Sequence, residues 1–131
     1  MKKVILGATG SIGSTLAKSL VKSGEEVHLV GRDNASLSSL ANELNSSFTT
    51  CDMLEENFTD QILSDLDGTP VNGLAYCVGS IDLKPLKLIK KSDFMQSFNL
   101  NLVSAAETIK ALADNLKQNK GSIVLFSTVA V

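Results

Sequence analysis

The chain has no tryptophan, one tyrosine, one histidine, two prolines and two cysteines among 131 residues. Each scarcity removes a possibility. Cys51 and Cys77 stand in separate segments, with no CxxC spacing and no histidine-rich neighbourhood. That argues against a metal site and against a disulfide-stapled secreted domain, and it makes a reducing cytoplasm the expected setting. Long apolar runs are missing as well. Val4-Ile5-Leu6 follows two lysines but is cut short by Gly7, Thr9 and Ser11, too early for a signal peptide, and no stretch approaches the ~18 apolar residues of a membrane span. Excess charge is also absent. A net charge of −2 supplies no general field for nucleic acid or an anionic membrane, and the one basic cluster, LKPLKLIKK, reads as a solvated loop face.

What is present describes a globular α/β chain. Hydrophobic residues make up 44% and charged residues 20% of a length that suits a single domain. Short apolar runs alternate with helical periodicity from end to end. Strands are expected at Lys3–Leu6, Val27–Val30, Ser47–Cys51, Leu74–Val78 and Ser122–Thr128. Between them, Ile12, Leu16 and Leu20 mark a helix over Ser11–Ser23 that stops at Gly24. Leu37, Leu40, Ala41 and Leu44 mark a second helix, and Phe58, Ile62, Leu63 and Leu66 a third. A long fourth helix is expected from about Asp93 to Gln118, capped by Ser92, with enough apolar surface to be covered on more than one side in its middle. Repeated strand–helix alternation implies a doubly wound parallel sheet in the order 3-2-1-4-5, with helices on both faces. His28 falls inside the second strand, where a satisfied structural histidine is expected rather than a catalyst.

The stretch VILGATGSIG places Gly7, Gly10 and Gly13 between the first strand and the first helix. A turn there aims backbone N–H groups and a helix N-terminus at one point, which favours an anion. Gly7 allows a tight turn, Gly10 leaves room for a phosphate near the main chain, and Gly13 lets the helix pack close to the strand. The segment lacks the Gly-Lys-Ser/Thr ending of a nucleoside-triphosphate loop, which leaves a dinucleotide as the expected ligand.

Read together with later segments, GATGSIG resembles the glycine motif of the short-chain dehydrogenase/reductase family, in the spacing G-x-x-G-x-x-G. Cys51-Asp52-Met53 resembles that family's exit from strand 3, where an Asp meets the adenine ring. Leu74-Ala75-Tyr76-Cys77-Val78-Gly79 lies where the family has an Asn-Asn-Ala-Gly strand, with both asparagines replaced. Phe98-Asn99-Leu100-Asn101-Leu102 resembles the helix motif with a catalytic Asn, which maps onto Asn101, and Gly121–Thr128 resembles the strand ending at a catalytic Ser, which maps onto Thr128. The resemblance covers essentially all of the chain and implies a Rossmann-type fold. It also implies hydride transfer between a nicotinamide dinucleotide and a carbonyl or alcohol. On it, Gly7, Thr9, Gly10, Ser11, Ile12, Gly13, Arg32, Asp52, Met53, Val78 and Gly79 are expected to hold the cofactor.

The second strand ends Leu29-Val30-Gly31-Arg32-Asp33. Gly31 stands where relatives selective for NAD usually carry Asp, and Arg32 suits the 2′-phosphate of NADP, while Asp33 competes as a ribose ligand. NADP is the expected cofactor, with NAD as the alternative. By the resemblance, a Tyr-x-x-x-Lys pair should follow Thr128 by some ten to fifteen residues, and the sequence ends at Val131. The chain therefore reads as the cofactor half of an oxidoreductase, with a non-catalytic dinucleotide-binding module as the alternative. A bare fifth strand and the long helix make self-association as a homo-oligomer expected.

Overall fold

The computed structural model describes residues 1–79 and 83–127 and contains five parallel strands in the order β3-β2-β1-β4-β5. Strands β1 (Lys2–Leu6), β2 (Glu26–Gly31) and β3 (Ser47–Thr50) alternate with helices α1 (Ser11–Lys22) and α2 (Asn34–Leu44). Helix α3 (Phe58–Leu66) leads to β4 (Val71–Tyr76), and β5 (Ser122–Leu125) forms the edge. The expected topology is the observed one.

The core explains why β1, after Lys2 and Lys3, ends in the apolar run Val4-Ile5-Leu6. Val4 and Leu6 point into one cluster with Phe58, Ile62, Leu112 and Leu116, whereas Ile5 points into the other with Leu29, Leu37 and Ala41. Side chains alternate across a strand, so a strand covered on both faces has no position left for a polar residue. All three are fully buried.

The long helix departs from expectation in three ways. It is divided into α4 (Lys91–Phe98), a π-helical turn (Asn99–Val103) and α5 (Ser104–Gln118). Its N-cap is Lys90 rather than Ser92, because the Asp93 carboxylate reaches back to accept the Lys90 N–H at 2.9 Å, and this places Ser92 inside the first turn. Nor is its middle covered on more than one side, since Leu102 and Ala106 are exposed. Helix α5 packs on β4, while α4 touches mainly the π turn, and Phe94, Met95, Phe98 and Leu102 are left exposed. On β5, Ile123, Val124 and Leu125 are exposed in the same way.

His28 is structural, as expected. Its ring is fully buried, with Nδ1 2.7 Å from Ser47 Oγ and Nε2 2.8 Å from Thr49 Oγ1, a cross-link from β2 to β3. Lys2 Nζ donates to the same Ser47 oxygen at 2.7 Å. Burial, and then the Lys2 charge, push the imidazole down to about 4 from an ordinary 6.5. Between those two values the unfolded chain binds the extra proton, so stability falls as pH drops from 6.5 towards 4, by on the order of 3 kcal/mol. His28→Gln keeps a donor and an acceptor but does not titrate. Urea unfolding at stepped pH should show a flatter slope in that window for the variant, and an equal slope would assign the acid loss to other groups.

Candidate functional site

At the exit of β1 the chain turns through Gly7, whose φ is +75°, a conformation that L side chains rarely adopt. The turn is gripped from both sides. Gly7 N–H and Ala8 N–H both donate to the Val30 carbonyl, at 2.9 and 3.1 Å. A Cβ on Gly7 would stand 2.6 Å from the Cys77 carbonyl oxygen, so the exit of β4 lies directly against it. One helical turn on, a Cβ on Gly13 would overlap the Gly7 carbonyl oxygen. Helix α1 thus begins backbone to backbone against β1. Its N-cap, Gly10, brings no side-chain cap, so the first-turn N–H groups and the positive end of the helix dipole are left for an outside acceptor.

A cleft of about 350 Å³ crosses the carboxyl ends of the strands in front of this helix. Gly7, Thr9 and Gly10 form its floor, Arg32 stands at the exit of β2, Asp52 and Met53 follow β3, and Val78 and Gly79 follow β4. Eight of the residues expected to hold a cofactor therefore meet in one cavity. Ser11 and Ile12 stand beside it on the first turn of α1, and Gly13 is buried behind the turn. Gly31, noted as the place of the Asp in relatives selective for NAD, also lines the cleft, as do Leu54, Cys77, Gln96 and Leu100, which were not among the residues expected to hold the cofactor. Leu100 had a signal, its place beside Asn101 in the helix motif. Gln96 had none.

The two residues expected to be catalytic fare differently. Asn101 comes to the β4 exit, where its Oδ1 lies 3.1 Å from the position a Gly79 Cβ would take, and its amide donates to Ser97 Oγ at 3.2 Å. Thr128 lies outside the described residues.

At the β2 end the two charged residues are held differently. Asp33 caps α2, accepting from Ala35 N–H at 3.2 Å and Ser36 Oγ at 2.7 Å, and the Ser36 bond foremost holds its carboxyl below the usual range. Arg32 is exposed and takes no part in the ion pairs found among the described residues. Burial pushes the Cys51 thiol up to about 11, helped by Asp52 and Glu55, and raises Cys77 as well. Both are protonated at neutral pH and poor nucleophiles. Tyr76, the only tyrosine, is pushed up to about 12 by burial and donates to the Leu100 carbonyl at 2.5 Å. No cluster of His, Cys, Asp and Glu among the described residues could hold a metal ion, and no helix among them is long and apolar enough to cross a membrane.

The family model described as short chain dehydrogenase matches residues 2–131. The chain belongs to the short-chain dehydrogenase family. L-fucose dehydrogenase of Oryctolagus cuniculus is 30% identical over 132 residues, covering 96% of this chain and 46% of that protein. Very-long-chain 3-oxoacyl-CoA reductase of Anas platyrhynchos is 29% identical, covering 97% and 45%. The chain thus spans about half the length of the curated relatives it matches. Among solved structures, a short-chain dehydrogenase/reductase from Saccharomyces cerevisiae superposes with a TM-score of 0.88 at 17% identity, covering 98% of this chain and 53% of that one. A 3-oxoacyl (acyl-carrier-protein) reductase from Agrobacterium tumefaciens with NADP bound gives 0.87 at 19% identity, covering 98% and 52%. These two carry the fold.

The Gly7–Gly13 contact sets the position of the α1 N-terminus. Gly13→Ala should cost ~1–3 kcal/mol, because the neighbouring atom is backbone and the helix itself must shift. Urea unfolding checks this. A Gly24→Ala control, where nothing lies within 4 Å of the new Cβ but φ is +86°, separates strain from crowding.

Proposed function

We propose that the cleft holds NADP(H) and that the protein transfers hydride between this cofactor and a carbonyl or alcohol. The family supports the oxidoreductase chemistry, and by their names the relatives act on a sugar or an oxoacyl group. The observation that carries the cofactor preference is the split between Arg32 and Asp33. Asp33, the ribose-binding alternative, is engaged at the α2 N-cap, while the Arg32 guanidinium stands exposed at the cleft, in position for a phosphate.

The residues present fit a dinucleotide. A Cβ on Gly10 would meet only the Gly7 carbonyl, at 3.4 Å, so the front of the turn is open to a pyrophosphate and the uncapped α1 N-terminus lies behind it. Asp52 and Met53 would hold the adenine, Arg32 the 2′-phosphate, and Val78 and Gly79 the ribose at the nicotinamide end. Bound there, the nicotinamide gives or accepts the hydride. Asn101 supports a proton-relay water at the same end, and Thr128 holds the substrate oxygen. A second copy of the chain is the proposed cover for the exposed edge of β5 and the outer face of α4.

Tyr76 does not serve as a proton donor within these residues. The only tyrosine among the 131 residues is buried and bonded to Leu100, and the residue four positions on is Ser80, so it cannot form the family's Tyr-x-x-x-Lys pair. Positioned acid–base groups contribute ~10²–10⁴-fold in rate. The 131-residue chain should therefore bind nucleotide without oxidising or reducing any carbonyl or alcohol. NADPH turnover that follows the purified chain and vanishes in Thr128→Ala would overturn this. For the cofactor, NADPH should bind more tightly than NADH, and Arg32→Ala should narrow the gap by ~1–3 kcal/mol. Equal affinities in the unmutated chain at low salt would remove the preference for NADP.

A further inference from the structure

We propose that Tyr76 is a positioning residue for the cleft: its hydroxyl holds the π turn in place and so sets where Gln96, Leu100 and Asn101 stand. The proposal rests on the dinucleotide reading only for its effect on binding.

A π turn is a rare excursion from the α-helix and needs a partner that outweighs the regular hydrogen-bond ladder. Here the partner is visible. Tyr76 is the last residue of β4, its ring buried in the core at 5% exposure, and its hydroxyl donates to the Leu100 carbonyl at 2.5 Å. The helix is held again where the π turn ends. Ser104 Oγ donates to the Met53 carbonyl at 2.7 Å, fixing the first residue of α5 to the segment after β3. The turn is thus tied to the sheet at one end and to the β3 exit at the other, and both Leu100 and Met53 are cleft walls.

The consequence follows from helix geometry. A π turn holds one residue more than the α turn it replaces. If it relaxed, everything N-terminal to it would rotate by about 100° about the helix axis, the angle of one α-helical residue. Gln96 would leave the cleft with α4, and Leu100 and Asn101, inside the turn itself, would shift away from the cleft and from Gly79. Tyr76→Phe keeps the buried ring and removes only the donor, stranding a carbonyl that would then favour its regular helical partner.

The test is hydrogen exchange on the purified chain, with far-UV circular dichroism to check folding. In Tyr76→Phe, amides of residues 99–104 should exchange about tenfold faster, the factor carried by ~1.4 kcal/mol, while those of β1 stay unchanged. NADPH should bind about tenfold more weakly, and Leu100→Ala, which should weaken NADPH binding in the unmutated chain, should have no further effect in the Phe background. A folded Tyr76→Phe chain with unchanged exchange over 99–104 overturns the proposal. So does a full additional loss from Leu100→Ala in that background. If the unmutated chain binds neither NADPH nor NADH, the cofactor reading falls and the exchange result alone decides the role of Tyr76. If Tyr76→Phe does not fold, fluorotyrosine labelling replaces it, and it alters this residue alone because the chain has a single tyrosine. The more acidic phenol is a stronger donor and should slow exchange over 99–104; unchanged exchange again overturns the proposal.

Discussion

Helix α1 meets the exit of β1 with no side chain between them, and the rest of the cleft is arranged around that contact. Gly13 rests on the Gly7 carbonyl, Gly7 rests on the Cys77 carbonyl, and the Val30 carbonyl takes two N–H groups of the turn. Three strands thereby fix one helix terminus. Side chains could not do this as well. A Cβ at either glycine would move the helix away from the strand, and the first-turn N–H groups would no longer converge on the carboxyl edge of the sheet. β1 is the right strand to bear such a contact, because Val4, Ile5 and Leu6 are buried on both faces and leave its exit little freedom.

The two helix N-termini nearest the cleft have opposite treatments, and the difference separates structure from binding. Helix α2 is closed by its own Asp33, whose carboxylate takes a backbone and a side-chain donor. Helix α1 begins at a glycine that offers no acceptor. An uncapped terminus is costly unless something else satisfies it. Where the terminus faces a cavity of about 350 Å³ with a guanidinium on the same side, an anionic ligand is the physical completion of the site.

Sheet order and the convergence of the glycine turn with Arg32, Asp52 and Gly79 were legible in the sequence, because they depend on periods of two and of three to four residues and on which strand follows which. The π turn was not. Phe94, Phe98, Leu102, Ala105, Ile109 and Leu112 are spaced by three or four throughout, and one extra residue in a turn changes a three into a four without breaking the pattern. That degeneracy concealed how Leu100 and Gln96 reach the cleft. The start of α4 was hidden for a different reason. Ser92 is the better N-cap by residue type, yet Asp93 three positions after Lys90 can close the turn from inside, and the geometry chose the carboxylate. The cover on the middle of the long helix was misjudged because apolar periodicity reports that a face wants cover without saying what supplies it.

Tyr76 shows how replacing a motif residue can change what a strand end does. It sits where the family resemblance leads one to expect asparagine, a small polar group at the end of β4. A phenol there has a longer reach, and it spans the gap to the helix instead of serving its own strand. The same burial that lets it hold the π turn pushes its proton up to about 12 and keeps the hydroxyl away from any substrate. The residue is therefore unsuited to acid–base work at neutral pH for the reason that makes it a good strut. Within these residues the carboxyl edge of the sheet is equipped to seat a dinucleotide, and the one phenol that could have moved a proton is built into the frame that shapes the seat.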